Sequence, residues 1–296
     1  MEPTALDRLV DILDLEELDQ DLYRGQNEGE GAPGRLYGGQ VAAQSLVAAG
    51  RTVEDRLAHS LHAYFLRPGN PEMPVIYSVD RIRDGASFTT RRVVALQRGK
   101  AIFNMSVSFH KDEPGFEHQA EMPEAPDPDS LPTTRERFEA AGDAIPEEFR
   151  KWMSRERPID LRSSEAHSRM GGKKLTGPNH VWFRANGRLS DDAFLHQCVL
   201  TYASDMSLLE TAVRRHGRGW PDRRVMVASL DHAVWFHRRC RADEWMLYAQ
   251  DSPAAAGARG FARGMVFTRD GVLAASVAQE GLMRPIETQS SNPPDN

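Results

Sequence analysis

Two stretches of this chain echo each other at a fixed distance, and that repetition constrains the fold more than any other feature. Residues 59–68 read HSLHAYFLRP and residues 224–238 read RVMVASLDHAVWFHR. Each holds a His-Ala pair followed by aromatics and arginine, and His62-Ala63 and His232-Ala233 lie 170 positions apart. The same offset separates Asn104-Met105-Ser106 from Ala274-Ala275-Ser276. One offset at two separated places indicates a unit written twice. The 296 residues give enough length for two such units, since single domains run to roughly 100–200 residues.

The order of predicted elements repeats as well. Residues 9–18 suit a short helix and residues 19–27 a strand, followed by a Gly- and Glu-rich loop over 28–34. The segment GGQVAAQSLVAAG (38–50) is small and apolar nearly all round, which predicts a helix buried on most sides. Gly50 suits the position just past its end. Small side chains would let a curved antiparallel sheet close around it. Strands are expected at 59–66, 75–83, 87–98 and 100–110, punctuated by Gly, Pro and Asn turns. A Pro- and acid-rich linker follows, with helices expected at 134–141 and 147–153. The second unit opens with strands at 158–162 and 180–189. Asp191-Asp192 then signals a helix start. Leu195, Val199, Tyr202, Met206, Leu209 and Val213 form one apolar stripe, so a single helix is predicted to about residue 215. Strands at 225–238, 244–251, 259–268 and 272–283 complete the second unit. The expected division is therefore an N-terminal unit at 1–112, a linker at 113–156, a C-terminal unit at 157–286 and a disordered tail at 287–296.

Three polar residues interrupt apolar series in the second unit. Asp205 projects about 80° from the centre of the helical stripe, at ~100° per residue. On the strand that follows, Ser229 ends a face begun by Val225 and Val227. On the last strand, Gln279 closes the series Leu273, Ala275, Val277. Singly, these read as a boundary ion pair, a satisfied core serine and a strand-end amide. Together they place an acid, a hydroxyl and an amide at one depth. An acid that polarises a water, with two groups to orient it, is the equipment for hydrolysis without a covalent enzyme intermediate.

Other chemistries find less support. A net charge of −6 gives no electrostatic footprint for nucleic acid, and most of the arginine clusters read as solvated surface. There is no GxSxG, P-loop, dinucleotide GxGxxG or HExxH motif. His232 and His237 are five apart on a strand, hence on opposite faces and poor common metal ligands, so no metal and no cofactor is expected. His59 is the repeat partner of Ser229 by the same offset, a relic or a helper. Cys198 and Cys240 make no CxxC, which points to a reducing compartment. No signal peptide, membrane span or Ser-Lys-Leu ending is visible, and a cytoplasmic location is expected.

The stretches LYGGQVAAQSLVAA, HSLHAYFLRPG, VWFRANGRL, YASDMSLLETA, ASLDHAVWFHR, ADEWMLYAQDSP and DGVLAASVAQEGLMR resemble the acyl-CoA thioesterase II family. They run from Tyr37 to Arg284. The resemblance implies an α+β double hot-dog fold: two tandem units, each an antiparallel sheet wrapped around a central helix. It implies hydrolysis of fatty acyl-CoA to fatty acid and CoA. The family's acid, hydroxyl and amide carry onto Asp205, Ser229 and Gln279, with Ser standing where many members have Thr. Substrate contacts would come from the helix start at Gly39 and Gln40, as donors to the developing oxyanion, and from His59. A homo-oligomer, dimer or tetramer, is expected. Two other classes stay open: a hot-dog hydratase or dehydratase of acyl thioesters, and a non-catalytic acyl-CoA binder.

Overall fold

The helix that the small apolar segment predicts spans Gly38–Gly50, here α2, and it is buried from Gly39 through Ala49. The computed structural model describes residues 2–27, 34–141, 155–163, 172–219, 222 and 224–286. The helix expected at 147–153, most of the 28–34 loop and the 287–296 tail lie outside these residues. The Gln44 amide, midway along α2, is fully satisfied. Gln44 donates to the carbonyls of Ile12 (2.6 Å) and Gln26 (2.9 Å) and accepts from the Tyr77 hydroxyl (2.6 Å). Gly50 is not the residue past the helix end, because that cap is Arg51 in the right-handed region. A side chain at Gly50 would collide with the Phe194 ring, so the glycine serves close helix packing instead.

Before α2 come α1 (Ala5–Leu13), β1 (Glu16–Asp19) and β2 (Leu22–Gly25). The expected 9–18 helix therefore starts and ends earlier. A capping box between Thr4 and Asp7 fixes its start. The expected 19–27 strand is the second arm of a hairpin whose first arm is β1. After α2 run β3 (Leu57–Phe65), β4 (Val75–Asp84), β5 (Phe88–Gln97) and β6 (Lys100–His110). The second unit repeats the plan with β7 (Ile159–Ser163), β8 (Asn179–Ala185), α4 (Ala193–Ser204), α5 (Leu208–Arg214), β9 (Val225–Ser229), β10 (Asp231–Phe236), β11 (Met246–Ala256), β12 (Arg259–Thr268) and β13 (Leu273–Pro285). Between the units lies α3 (Thr134–Ala141).

All strands described join one antiparallel sheet in the order β1-β2-β4-β5-β6-β3-β10-β13-β12-β11-β8-β7, with β9 also on β13. The order is a palindrome. Each strand of the first unit has its counterpart at the mirrored place, and the seam is β3–β10. Inside, α2 and α4 pack antiparallel, the start of one against the end of the other: Gly39 meets the Tyr202 carbonyl, and Gly50 meets Phe194. The duplication inferred from the echo is thus an architecture of two similar units sharing a sheet.

The constant offset does not survive inside the seam. There Ala63 pairs with His232, and His62 with Ala233. Residues paired across an antiparallel ladder share a face, and a shift of one residue flips the face. His232 is therefore buried while His62 is exposed, and the two histidines are not equivalent.

The segment after β6 is not a free tether. Its residues Met122, Ala125 and Leu131 pack on Trp182, Trp245, Leu247, Phe267 and Leu273 of the second unit. The Trp182 indole donates to the Pro126 carbonyl at 2.8 Å, and Arg269 pairs with Asp127 at 2.6 Å. Because the seam and the α2–α4 contact hold the units together independently, a chain cut within 123–132 should still elute as one species by gel filtration. Two separate soluble halves would contradict this arrangement.

Candidate active site

The predicted 192–215 helix is broken. It starts as expected, with the Asp192 carboxylate accepting from the Phe194 N–H at 2.9 Å, but α4 ends at Ser204 and Asp205 is its C-cap. The apolar stripe continues across the break, so periodicity alone hides it. The local signal is Ser204-Asp205-Met206-Ser207, three residues that favour caps and turns within four positions. Two tyrosines, Tyr37 half-buried and Tyr248 buried, close the helix end: Tyr37 donates to the Tyr202 carbonyl (2.7 Å) and Tyr248 to the Ser204 carbonyl (3.2 Å). On the far side of the break, Ser207 accepts from the Gln250 amide at 2.6 Å. The break turns the Asp205 side chain away from a helix surface and toward the sheet.

The predicted 225–238 strand is also interrupted. β9 and β10 lie along the same edge of β13 but differ in register by one residue. Leu230 sits at the step, its N–H on the Glu280 carbonyl (2.9 Å) and its carbonyl on the Phe65 N–H (2.9 Å). Without the step, Ser229 would share the parity of exposed Trp235. With it, Ser229 pairs with buried Gly281 and faces inward beside Gln279. A bulge next to a site commonly re-aims a side chain in this way.

These two irregularities bring the trio together. Gln279, fully buried, donates from Nε2 to Asp205 Oδ1 at 3.0 Å and to Ser229 Oγ at 2.5 Å. Ser229 Oγ donates to the same carboxylate oxygen at 3.3 Å. Burial raises the Asp205 pKa above the ordinary aspartate value. The nearby His232, the Gln279 and Ser229 hydrogen bonds and one from the Gly39 N–H oppose the rise without cancelling it. The residue keeps partial exposure, and its second oxygen, Oδ2, lies toward Gly38. A Cβ at Gly38 would stand 2.8 Å from Oδ2 and 2.7 Å from the Phe65 ring, so the glycine leaves space on that side.

The expected substrate residues divide. Gly39 is at the site, its N–H turned to Asp205. The Gln40 side chain is buried and donates to Asn27 Oδ1 at 2.8 Å, which makes it a tie to the loop after β2; only its backbone faces the helix start. His59 is not part of this constellation. It occupies an irregularity in the β3–β6 ladder, its ring 5.5 Å from Phe88 and 6.2 Å from His110. Phe65, the β3 residue beside Gly38, is six positions away, or roughly 20 Å at ~3.3 Å per residue. Near that end of α2 the buried Arg91 guanidinium donates to Thr52 Oγ1 (2.7 Å) and Asp84 (2.6 Å). His59 as a helper at the trio is thus corrected by the length of the strand.

The sequence reading passed over His232 as anything but a poor metal ligand. In the structure it is fully buried and touches Gln279. The signal available was parity, since His232 and Val234 alternate inward on β10. Neither cysteine is a nucleophile candidate: burial raises the thiol pKa of Cys198, and that of Cys240 to about 12. No cluster of metal-ligating side chains occurs among the described residues, and none of their helices is long and apolar enough to cross a membrane.

Comparison with known proteins gives a consistent result. The profile of the family described as "Acyl-CoA thioesterase" matches residues 150–282, and that described as "Acyl-CoA thioesterase N-terminal domain" matches residues 28–110. The chain is 37% identical over 280 residues to Acyl-CoA thioesterase 2 of Haemophilus influenzae, covering 94% of this chain and 98% of that one. It is 41% identical over 289 residues to Acyl-coenzyme A thioesterase 8 of Mus musculus, covering 93% and 88%. Among solved structures, the acyl-CoA thioesterase II TesB2 from Mycobacterium marinum superposes with a TM-score of 0.77 at 43% identity, covering 94% and 99%.

Proposed function

This chain belongs to the acyl-CoA thioesterase II family, and from that premise we propose that Asp205, Ser229 and Gln279 hydrolyse a fatty acyl-CoA by activating water. The fold is the double hot-dog, and the protein is a thioester hydrolase acting on acyl-CoA. The single observation that carries the residue assignment is the convergence of a helix end, a bulged strand and β13 on one carboxylate oxygen.

In this mechanism Asp205 is the general base. Its raised pKa matches it better to a water proton, while enough ionised form persists at neutral pH. Ser229 and Gln279 hold Oδ1, which leaves Oδ2 for the water. The water oxygen bonds to the thioester carbon as its proton passes to Asp205. The carbonyl oxygen, now negative, is received by a first-turn N–H of α2. Such groups have no intrahelical partner, and with Gly39 N–H on Asp205, the Gln40 N–H is the donor we assign. The C–S bond then breaks, and the CoA thiolate takes the proton from Asp205. The Ser229 oxygen contacts Asp205 and Gln279, not an imidazole, which disfavours an acyl-serine intermediate.

The proposal includes a homo-oligomer, dimer or tetramer, in the cytoplasm. Exposed Tyr64 and Trp235 on the outer face of the central strands support the first part, which sedimentation velocity measures.

The deciding experiment is release of free thiol from acyl-CoAs of increasing chain length. Release from none of them would overturn the proposal. Ser229→Ala should lower kcat by about tenfold, the loss of one orienting hydrogen bond of ~1–1.5 kcal/mol. Ser229→Thr should keep activity within a few-fold, because the hydroxyl stays and the added methyl only stiffens χ1. A folded but inactive Thr variant would remove Ser229 from its assigned role.

A further inference from the structure

His232 is a buried ring that touches the trio without belonging to it. Its Nδ1 lies 3.1 Å from Gln279 Oε1, and its Nε2 lies 2.8 Å from Ser204 Oγ. Gln279 in turn reaches Asp205, and Ser204 is the residue before Asp205. The contacts therefore close a ring: Ser204, His232, Gln279, Asp205 and back through the peptide bond. It ties the end of α4 to β10 and β13.

We propose that His232 is a positioning residue for hydrolysis, holding the Gln279 amide so that its NH2 group faces Asp205 and Ser229. The inference rests on the roles assigned above.

The argument is one of donors and acceptors. Burial lowers the His232 pKa, although Asp205, Asp231 and the Gln279 contact oppose the shift, so the ring is neutral near pH 7. A neutral imidazole has one N–H and one acceptor nitrogen. The Gln279 oxygen can only accept, which places the proton on Nδ1. Nε2 then accepts from the Ser204 hydroxyl. That hydroxyl is also 2.9 Å from the Thr201 carbonyl, but its single proton goes to the imidazole. The chain of donors runs one way: Ser204 to His232, His232 to Gln279, Gln279 to Asp205 and Ser229.

The need for His232 is greatest in the middle of the reaction. While Asp205 is ionised, its charge alone attracts the amide NH2. Once Asp205 holds the water proton, that attraction weakens, and a rotated amide would present its oxygen to Ser229. The His232 Nδ1–H keeps the amide oriented through that interval. The effect belongs in kcat rather than in substrate binding.

The test compares His232→Asn, His232→Gln and His232→Leu in thiol-release assays, with kcat and KM expressed per folded protein. The Asn amide can place a donor where Nδ1 was, while the Gln amide reaches toward Ser204 instead. We expect His232→Gln and His232→Leu to lose about tenfold or more in kcat with KM within about threefold, and His232→Asn to recover most of the loss. A His232→Gln change introduced into Gln279→Ala should have little further effect, because the two act through one contact. Equal kcat in Asn and Gln variants, or full additivity with Gln279→Ala, would overturn the inference, and both readouts stand even where the Leu variant does not fold. If Asp205→Asn stays active, the assignment of the trio fails first. If Asp205→Asn is inactive but the His232 variants turn over normally, only this inference fails.

Discussion

Asp205→Asn should fold like the parent and lose most of its turnover, by about 10²–10⁴-fold in kcat, the usual contribution of a positioned general base. Asn keeps an oxygen for Ser229 and Gln279, so the hydrogen bonds on Oδ1 survive. It cannot take a proton from water. Thiol release by the two proteins side by side decides the matter. Activity within about threefold of the parent, under ~1 kcal/mol of barrier, would remove Asp205 from the mechanism. The same residue sets two pH dependences of known sign. The base works ionised and its pKa is raised by burial, so kcat/KM should rise with pH along a limb displaced above the ordinary aspartate range. For stability, the folded state holds this proton more tightly than the unfolded chain. The stabilisation that it contributes is present below the unfolded pKa and is lost as pH rises through the folded one. At neutral pH the parent therefore carries a partly buried charge that the Asn variant lacks, and Asp205→Asn should melt no lower than the parent. Differential scanning calorimetry at pH 7 measures this.

Gly39→Ala should be the most damaging small substitution. A Cβ there would collide with the Tyr202 carbonyl oxygen and stand 2.6 Å from the Tyr37 hydroxyl. The obstructing atom is backbone in the last turn of α4 and cannot swing aside. Ala is the better helix former by about 1 kcal/mol, but overpacking a tight core costs ~1–3 kcal/mol, and here it also pushes α4 and α2 apart where they meet. We expect a lower thermal midpoint together with reduced kcat, because the Gly39 N–H and Asp205 move relative to one another. Gly50→Ala makes the comparison, since it meets the edge of the partly buried Phe194 ring, which can rotate. It should cost less in stability and little in kcat. A Gly39→Ala protein as stable and active as the parent would mean that the helices do not meet so closely.

What was legible in the sequence follows from what each signal physically measures. The uniform small-residue run gave α2 its bounds at Gly38 and Gly50, because burial on all sides leaves a compositional mark. The four strands after it were readable from alternation and turn residues. Asp205, Ser229 and Gln279 were visible as polar residues in apolar series, and the structure brings them within hydrogen-bonding distance of one another. The two irregularities that make them meet were not visible in periodicity. The helix break at 205–207 leaves the stripe unbroken, and the bulge at Leu230 leaves no mark on a run of strand formers. Both are held by distant partners, Gln250 for the first and Phe65 and Glu280 for the second, and local pattern cannot see those. His59 was misplaced for a different reason: in a sheet whose order is mirrored about the β3–β10 seam, the repeat partner of Ser229 lies at the mirrored place in the first unit, a strand's length from the trio.

The seam between β3 and β10 sets the order in which this protein can be made. Its paired residues, such as Ser60 with Trp235 and Tyr64 with Asp231, are separated by more than half the chain. At ~5–20 residues per second of synthesis, β3 waits on the order of ten to thirty seconds as an open sheet edge before its partner exists. Over the same interval α2 lacks the helix that covers it. An unpaired apolar edge is a template for wrong pairing, and contacts of such long sequence separation slow folding. The nascent first unit thus carries an open edge at β3 throughout that interval, and the finished sheet forms only after β10 has left the ribosome.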